Sequence, residues 1–323
     1  MIEPIKLEKG IIEGITEGTL TKLMEAGITT VQALSVQTPP ELAEISGMSD
    51  ETASKVIGKA QKILDFGFID AVQLRELRAN RTHLKTGCVS LDALIGGGFE
   101  SETTSEIASD GGVGKTQICH TLAVLAPRPV EEGGLGGDVA WIDTEDTFTP
   151  ARIEEIAKAR GFDPEEALKH IHWALAKNSD NQKQLILQLF ELVPKYNIKL
   201  VIVDSMISHL RGEYVGREML QGRQGLLGLM LQTLLRVSQS MKVTTVYTNQ
   251  VMDEPTLFGV TKPTGGHRMA HAAGTRLQLR KGREGVRVAK LIDSLSLAGG
   301  EAVFIISEKG IEDVPAPKKK EAS

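Results

Sequence analysis

Up to about residue 65, apolar positions recur at helical spacing. Leu20, Leu23, Met24 and Ile28 form one set, and Ala53, Val56, Ile57, Ala60 and Ile63-Leu64 another. Residues three and four apart share a helix face, so each set predicts a short amphipathic helix. Two turn-like segments precede helices: 12–16, Ile-Glu-Gly-Ile-Thr, and 45–49, Ile-Ser-Gly-Met-Ser. Ser49 with Thr52, beside Asp50 and Glu51, offers an N-cap. Residues 66–71 and the charged helical stretch 75–81 stand between two differently patterned regions and read as a linker. From Thr86 onward the period changes. Strand-like runs at 103–108, 139–142, 200–203 and 244–248 are interleaved with helical stretches at 117–125, 152–159, 181–193 and 226–238. That alternation predicts a mainly parallel sheet covered on both faces. Residues 131–137 read as a surface loop. The last third turns to strands at 276–280, 286–292 and 302–306, with 281–285 as a turn between two of them. The expected organisation is a helical domain at 1–65, a linker at 66–81, an α/β core at 82–313 and a disordered tail at 314–323.

Composition narrows the class. The 323 residues suffice for one large domain and a small one, and 24% charged with 41% hydrophobic residues fits a soluble chain. No apolar run approaches the ~20 residues that span a bilayer, and the N-terminus lacks a signal-peptide pattern. The expectation is therefore a cytoplasmic protein with no membrane partner. Cys88 and Cys119 make neither a disulfide framework nor a zinc site. At a net charge of −5, nucleic-acid binding has to come from local basic clusters.

The strongest chemical signal lies between the strand run 103–108 and the helical run 117–125. It reads Ser109-Asp110-Gly111-Gly112-Val113-Gly114-Lys115-Thr116, followed by Gln117. A glycine-rich turn entering a helix aims backbone N–H groups and the helix's positive end at one point, a cradle for phosphate. Lys115 is positioned for the β- and γ-phosphates of ATP, and the Thr116 hydroxyl for Mg²⁺. In such a sheet the ligand lies at the carboxyl ends of the strands. Asp204 ends an apolar run there, as a second Mg²⁺ ligand does. Glu145, at another strand end, is the candidate base for the attacking water. Gln250, at a third, is a candidate γ-phosphate sensor. Each alone is an ordinary strand-end polar residue; together with Lys115 and Thr116 they point to nucleotide hydrolysis.

Two further segments look functional. Residues 211–224 carry Arg211, Arg217 and Arg223 in a polar, glycine-containing stretch, read as a mobile loop able to bind phosphates or simply as a solvated one. Residues 251–267 follow Gln250 directly and include Lys262, Gly265, Gly266 and His267. That adjacency couples nucleotide state to a second ligand. His271, one helical turn beyond His267, is a further phosphate sensor or a structural residue.

Paired turn–helix units at 12–16 and 45–49 resemble helix-hairpin-helix modules, whose hairpins meet DNA phosphates; a bundle that only packs is the alternative. Residues 143–148, 200–205, 211–224, 249–251 and 287–291 resemble the archaeal RadA recombinases, relatives of the eukaryotic strand-exchange recombinases and, more distantly, of bacterial RecA. The likeness runs over nearly the whole chain. It implies a RecA-like P-loop ATPase core of the α/β class and a small all-α helix-hairpin-helix N-terminal domain. It implies that Phe68 and Ala71 form a Phe-x-x-Ala polymerisation motif that inserts into a neighbouring copy; from the residues alone, Phe68 also reads as a core aromatic of the bundle. By the same resemblance Arg217 and Arg223 belong to a first DNA-binding loop, and Lys262, Gly265 and Gly266 to a second. Asp293 caps ATP from the adjacent subunit. The implied activity is a DNA-dependent ATPase that forms filaments or rings on single-stranded DNA and exchanges strands with a homologous duplex, with mediator proteins as further partners. A paralogue that binds filaments without exchanging strands is the alternative, and a hexameric helicase a third reading. Several positions depart from the family pattern: Ser109 for Gly, which is strained if that position needs positive φ, Thr149 and Ala151 around Pro150, Glu218 beside Arg217, Gly225 near a helix start, and Leu295 and Ala298 after Asp293.

Overall fold

The computed structural model describes residues 5–64, 67–216, 218–253 and 261–315. Among them the chain begins with helices α1 (Glu17–Glu25), α2 (Val31–Ser35), α3 (Pro39–Ser46) and α4 (Asp50–Ile63). Each starts because a hydroxyl satisfies an otherwise orphaned N–H: Thr16, Thr30, Thr38 and Ser49 accept from the amide three residues on. The glycine of each hairpin turn, Gly14 and Gly47, has left-handed φ of 101° and 78°. Leu23, Leu34, Leu42, Val56 and Ala60 fill the centre of the bundle.

This bundle is joined to the rest of the chain. Its Val31, Leu34, Leu42 and Val56 form one apolar cluster with Ile186, Val201 and Leu231 of the core. Arg236 seals the junction, donating to Oε2 of Glu41 at 2.9 Å, to Oε1 at 3.2 Å and to the Val36 carbonyl at 2.8 Å. At Gly27, φ +80°, an added Cβ would lie 2.9 Å from the Glu191 Cβ, so the backbones meet there with no room for a side chain.

Helix α5 (Ala71–Ala79) follows, capped by Asp70, whose Oδ1 accepts from the amides of Val72 and Gln73 at 2.8 Å. Phe68 is fully exposed and is therefore not a core aromatic of the bundle. Strand β1 (His83–Leu84) pairs antiparallel with β2 (Phe99–Glu100) around helix α6 (Val89–Leu94). The core then runs β3 (Thr104–Ser109), α7 (Lys115–Leu125), β4 (Asp138–Asp143), α8 (Pro150–Ala159), α9 (Pro164–Lys169), β5 (Ile171–Leu175), α10 (Ser179–Lys195) and β6 (Ile198–Asp204). It continues with α11 (Ser208–Glu213), α12 (Leu220–Met241), β7 (Thr244–Asp253), β8 (Thr261–Pro263), α13 (Gly266–Ala272), β9 (Thr275–Lys281), β10 (Arg287–Ser294), β11 (Gly300–Ser307) and β12 (Gly310–Asp313).

The main sheet has the order β12-β11-β10-β9-β3-β7-β6-β4-β5, with β8 hairpinned onto β7. Strands β9 through β5 in that order are mutually parallel, and β10, β11 and β12 extend the sheet antiparallel. Both faces are covered, so β4 and β6 are near-continuous apolar runs, while the central β3 and β7 bury polar residues such as Thr104, Glu106, Thr248 and Asn249. Along β6, Leu200 and Ile202 join Ile118 and Ile153 on one side, while Val201 and Val203 join Ile186 and Leu231 on the other.

Four readings need correction. Strand β5 was not read, because its burial is intermittent along a sheet edge and no clean alternation survives. Residues 131–137 are not all surface: Gly133, Gly134, Leu135 and Gly137 are buried, and a Cβ at Gly134 would fall 2.1 Å from the Arg128 carbonyl oxygen. Helix α12 begins at Leu220, six residues before the expected 226, so the expected loop 211–224 is helical at both ends and irregular at 214–216 and 218–219, Arg217 lying outside the described residues. Finally, β7 continues past Gln250, which sits within a strand and not at its end.

Candidate active site

The turn after β3 is built by left-handed glycines, Gly112 at φ 67° and Gly114 at φ 127°, conformations that exclude ordinary side chains. No side chain caps α7, leaving its first N–H groups directed into the turn. Ser109 is not strained. It ends β3 in register with Gln250, is absent from the left-handed residues, and donates its hydroxyl to the Asp110 carbonyl at 2.8 Å. The Lys115 ammonium lies over the loop, donating to the Ser109 carbonyl at 3.0 Å, the Ser109 Oγ at 3.1 Å and the Asp110 carbonyl at 3.0 Å. Burial lowers its pKa from the ordinary lysine value, while Asp204, Glu145 and Asp110 pull it back up.

Thr116 donates to Oδ2 of Asp204 at 2.7 Å, and Thr248 donates to Oδ1. Asp204 is buried, and loss of solvent raises its pKa above the usual aspartate value despite those two donors; Glu145 and Asp143 raise it further. A hydroxyl and a carboxylate so paired form an all-oxygen donor set of the kind hard divalent cations take. The Asp204–Ser205 peptide is cis.

Asp143, at the end of β4, organises the neighbouring loop. It accepts from the amides of Glu145 at 3.0 Å, Thr147 at 2.9 Å and Phe148 at 2.9 Å, and from the Trp173 indole at 3.3 Å. Glu145, two residues past the strand, is thereby aimed at Ser205 and Gln250. Its Oε1 accepts from the Ser205 hydroxyl at 2.8 Å and from the Gln250 amide at 3.2 Å. The Gln250 side-chain oxygen Oε1 in turn accepts from the Arg211 guanidinium.

Beneath Gln250 lies a buried polar network. Glu106 accepts from Arg276 and, at 2.6 Å, from Asn249, whose amide also reaches the Thr264 carbonyl at 2.8 Å. The Thr264 amide and hydroxyl both donate to the main-chain carbonyl of Gln250, at 2.9 and 2.7 Å. The segment ahead of α13 is thus tied to the strand that carries Gln250. Lys262 lies on β8 opposite Met252; Gly265 is the left-handed N-cap of α13, and Gly266 follows it. The rings of His267 and His271 stack with centroids 6.1 Å apart.

The remaining expected site residues stand apart. Arg223 is on α12, with its Nε buried and lacking a hydrogen-bond partner. Burial and the neighbouring Arg211 lower its pKa from the usual arginine value. Phe68 and Ala71 are exposed on the linker. Asp293 registers with Arg276, and Arg276 with Glu106, three residues before the end of β3. It is therefore two strands across and about 10 Å down the sheet from its own loop. Gln117 holds Arg152 of α8 at 2.8 Å.

Sequence reasoning did not assign roles to Asp143, Thr248 or Ser205. The first ends a strand run it did identify, and the other two reach the site only through strand adjacency. No described helix is long and apolar enough to cross a membrane.

A parallel sheet covered on both faces, with a glycine turn entering a helix at its carboxyl edge, defines an α/β fold of the RecA-like class. Residues 77–314 match the Rad51 family, and residues 7–62 match the SAM-like helix-hairpin-helix tandem family. The chain is 42% identical over 304 residues to the DNA repair and recombination protein RadA of Aeropyrum pernix, an alignment spanning 94% of this chain and 95% of that protein. The chain belongs to the Rad51 family and is of the archaeal RadA type.

Proposed function

We propose that the protein is a DNA-dependent ATPase that assembles on single-stranded DNA and exchanges strands with a homologous duplex in recombinational repair. The observation that carries this reading is the convergence of Lys115, the Thr116–Asp204 pair, Glu145 and Gln250 at one edge of the sheet. The side chains fit a magnesium nucleotide. The turn from Ser109 to Gln117 would cradle the phosphates, with Gly111 and Gly112 leaving open space where a Cβ would stand. Thr116 and Asp204 would hold Mg²⁺, which when bound supplies charge neutralisation. Lys115 exchanges loop carbonyls for phosphate oxygens. Glu145 takes the proton of the water that attacks the terminal phosphorus, as the bond to the bridging oxygen breaks and its electron pair leaves on the diphosphate. Gln250 reports the terminal phosphate to the segment around Lys262, Gly265 and Gly266 through the Thr264 hydrogen bonds. Arg217 and Arg223 meet DNA phosphates. Phe68 and Ala71 enter an adjacent copy, and Asp293, far from its own loop, serves the neighbour's nucleotide.

Purified protein with ATP, Mg²⁺, circular single strands and homologous linear duplex tests the whole. Joint molecules and exchanged strands are expected. ATP-dependent DNA binding without exchange would move the protein to the filament-accessory reading.

A further inference from the structure

We infer that Arg211 is a positioning residue that restrains hydrolysis until a nucleic-acid phosphate draws it away; this rests on the ATPase reading above. Three contacts in series carry it. Arg211 donates to the carbonyl oxygen of Gln250, the Gln250 amide donates to Glu145 Oε1 at 3.2 Å, and Ser205 donates to the same oxygen at 2.8 Å. Arg211 is exposed on α11 and Glu145 is exposed on the loop after β4, so the contacts link two solvent-facing groups through the half-buried Gln250.

The orientation of the Gln250 amide follows from its neighbours. A guanidinium can only donate and a carboxylate can only accept, so the oxygen must face Arg211 and the nitrogen Glu145. A strong donor on the amide oxygen polarises the group, makes its N–H a better donor and fixes its rotamer. With Gln250 so held, Glu145 Oε1 accepts two hydrogen bonds. Those two donors pin the carboxylate toward Ser205 and Gln250 and leave only Oε2 open to a water, so the restraint acts on where the base points.

The second observation is the setting of Arg211. Its neighbour Arg223 has a buried Nε without a partner, and the two guanidiniums lie close enough for Arg211 to lower the Arg223 pKa. Among the described residues no carboxylate bridges them. Two adjacent cations without an anion form a site for a phosphodiester, and a charged oxygen outcompetes a neutral amide for a guanidinium. Phosphate binding there removes Arg211 from Gln250. Gln250 then releases Glu145 and is free to turn toward the nucleotide. DNA stimulation of hydrolysis is thus the lifting of an internal restraint.

The test is steady-state ATP hydrolysis by Arg211→Ala, Gln250→Ala and the double variant, with and without single-stranded DNA. Without DNA, Arg211→Ala is expected to raise kcat about fivefold or more, with KM for ATP unchanged. The same substitution in the Gln250→Ala background is expected to change nothing, since the restraint acts through Gln250. A merely structural role would lower kcat in both backgrounds. A role confined to gripping DNA would leave DNA-free turnover unaltered. Unchanged DNA-free kcat in Arg211→Ala, alongside DNA-stimulated wild-type turnover, overturns the restraint alone. Absence of hydrolysis by the wild type under both conditions overturns the ATPase reading and the restraint with it.

Discussion

Individual side chains in this protein are held by partners remote in sequence, and this fixes what each can do. Lys115 lies over the glycine turn, half withdrawn from water and resting on three oxygens of Ser109 and Asp110. Replacing it with alanine leaves those carbonyls to solvent and, in the proposed nucleotide site, removes the charge that would face the phosphates. Lys115→Ala should lower ATP turnover about 100-fold or more, measured by phosphate release, and retained hydrolysis would mean that the loop serves another ligand. His120 makes a different kind of prediction. It stacks on Trp141 with centroids 5.0 Å apart and lies 5.7 Å from Phe148, and its Nε2 accepts from the Thr149 amide at 3.3 Å. Burial, aided by Arg152, pushes its pKa down to about 4, against a weaker upward pull from Asp143. Between pH 6.5 and 4 the unfolded chain therefore takes up a proton that the folded chain refuses. Its contribution to stability is present above pH 6.5 and lost as pH falls toward 4, on the order of 3 kcal/mol in all. His120→Phe keeps the ring and removes the titration. The melting temperature of the variant should fall less steeply over that window than that of the wild type; parallel curves would show that the imidazole does not titrate in this way.

At the scale of elements, the runs with a clear local pattern exist where the pattern expects them, with ends such as those of α12 and β7 displaced by several residues, and elements fixed by tertiary position carry no such pattern. The apolar runs of β4 and β6 and the glycine turn before α7 are local properties, so they were legible. Strand β5 is a half-exposed edge, and its mixture of Ile171, His172, Trp173, Ala174 and Leu175 carries no period. The contact between Arg211 and Gln250 spans 39 positions, and that between Arg276 and Glu106 spans 170. No spacing rule reaches so far. Ser109 shows the converse: a departure from pattern that suggested strain is accommodated because the position is ordinary strand backbone. The linker is the element most open to test. Phe68 stands wholly outside the bundle, and Ile69, Val72 and Leu77 near it are exposed as well. Phe68→Glu should leave the melting temperature of the isolated chain within about 0.5 kcal/mol of wild-type stability, since no internal contact is lost. Light scattering should show no long assemblies, because a carboxylate cannot enter an apolar pocket without a partner. Long assemblies formed by the variant would remove Phe68 from the polymerisation role.

For the molecule as a whole, the position of Asp293 matters most. It registers with the early part of β3, while the phosphate loop follows that strand's last residue. That offset suits the proposed role of Asp293 toward the nucleotide of an adjacent copy. Lys115→Ala and Asp293→Ala should therefore each be deficient alone and recover turnover when mixed, because an interface pairing Lys115 of one copy with Asp293 of another is intact. A mixture no more active than the sum of its parts would place Asp293 outside the reaction. If the nucleotide is held between copies as proposed, the arithmetic of assembly is simple. An open run of n copies contains n − 1 complete interfaces, and a closed ring of n contains n. A solitary copy has none. Specific activity per chain should thus climb with concentration and level off, steeply for short runs and hardly at all for long ones. Single copies shed from an assembly would fall silent while longer fragments each forfeit one site, a built-in gauge of how much of the chain's population is joined.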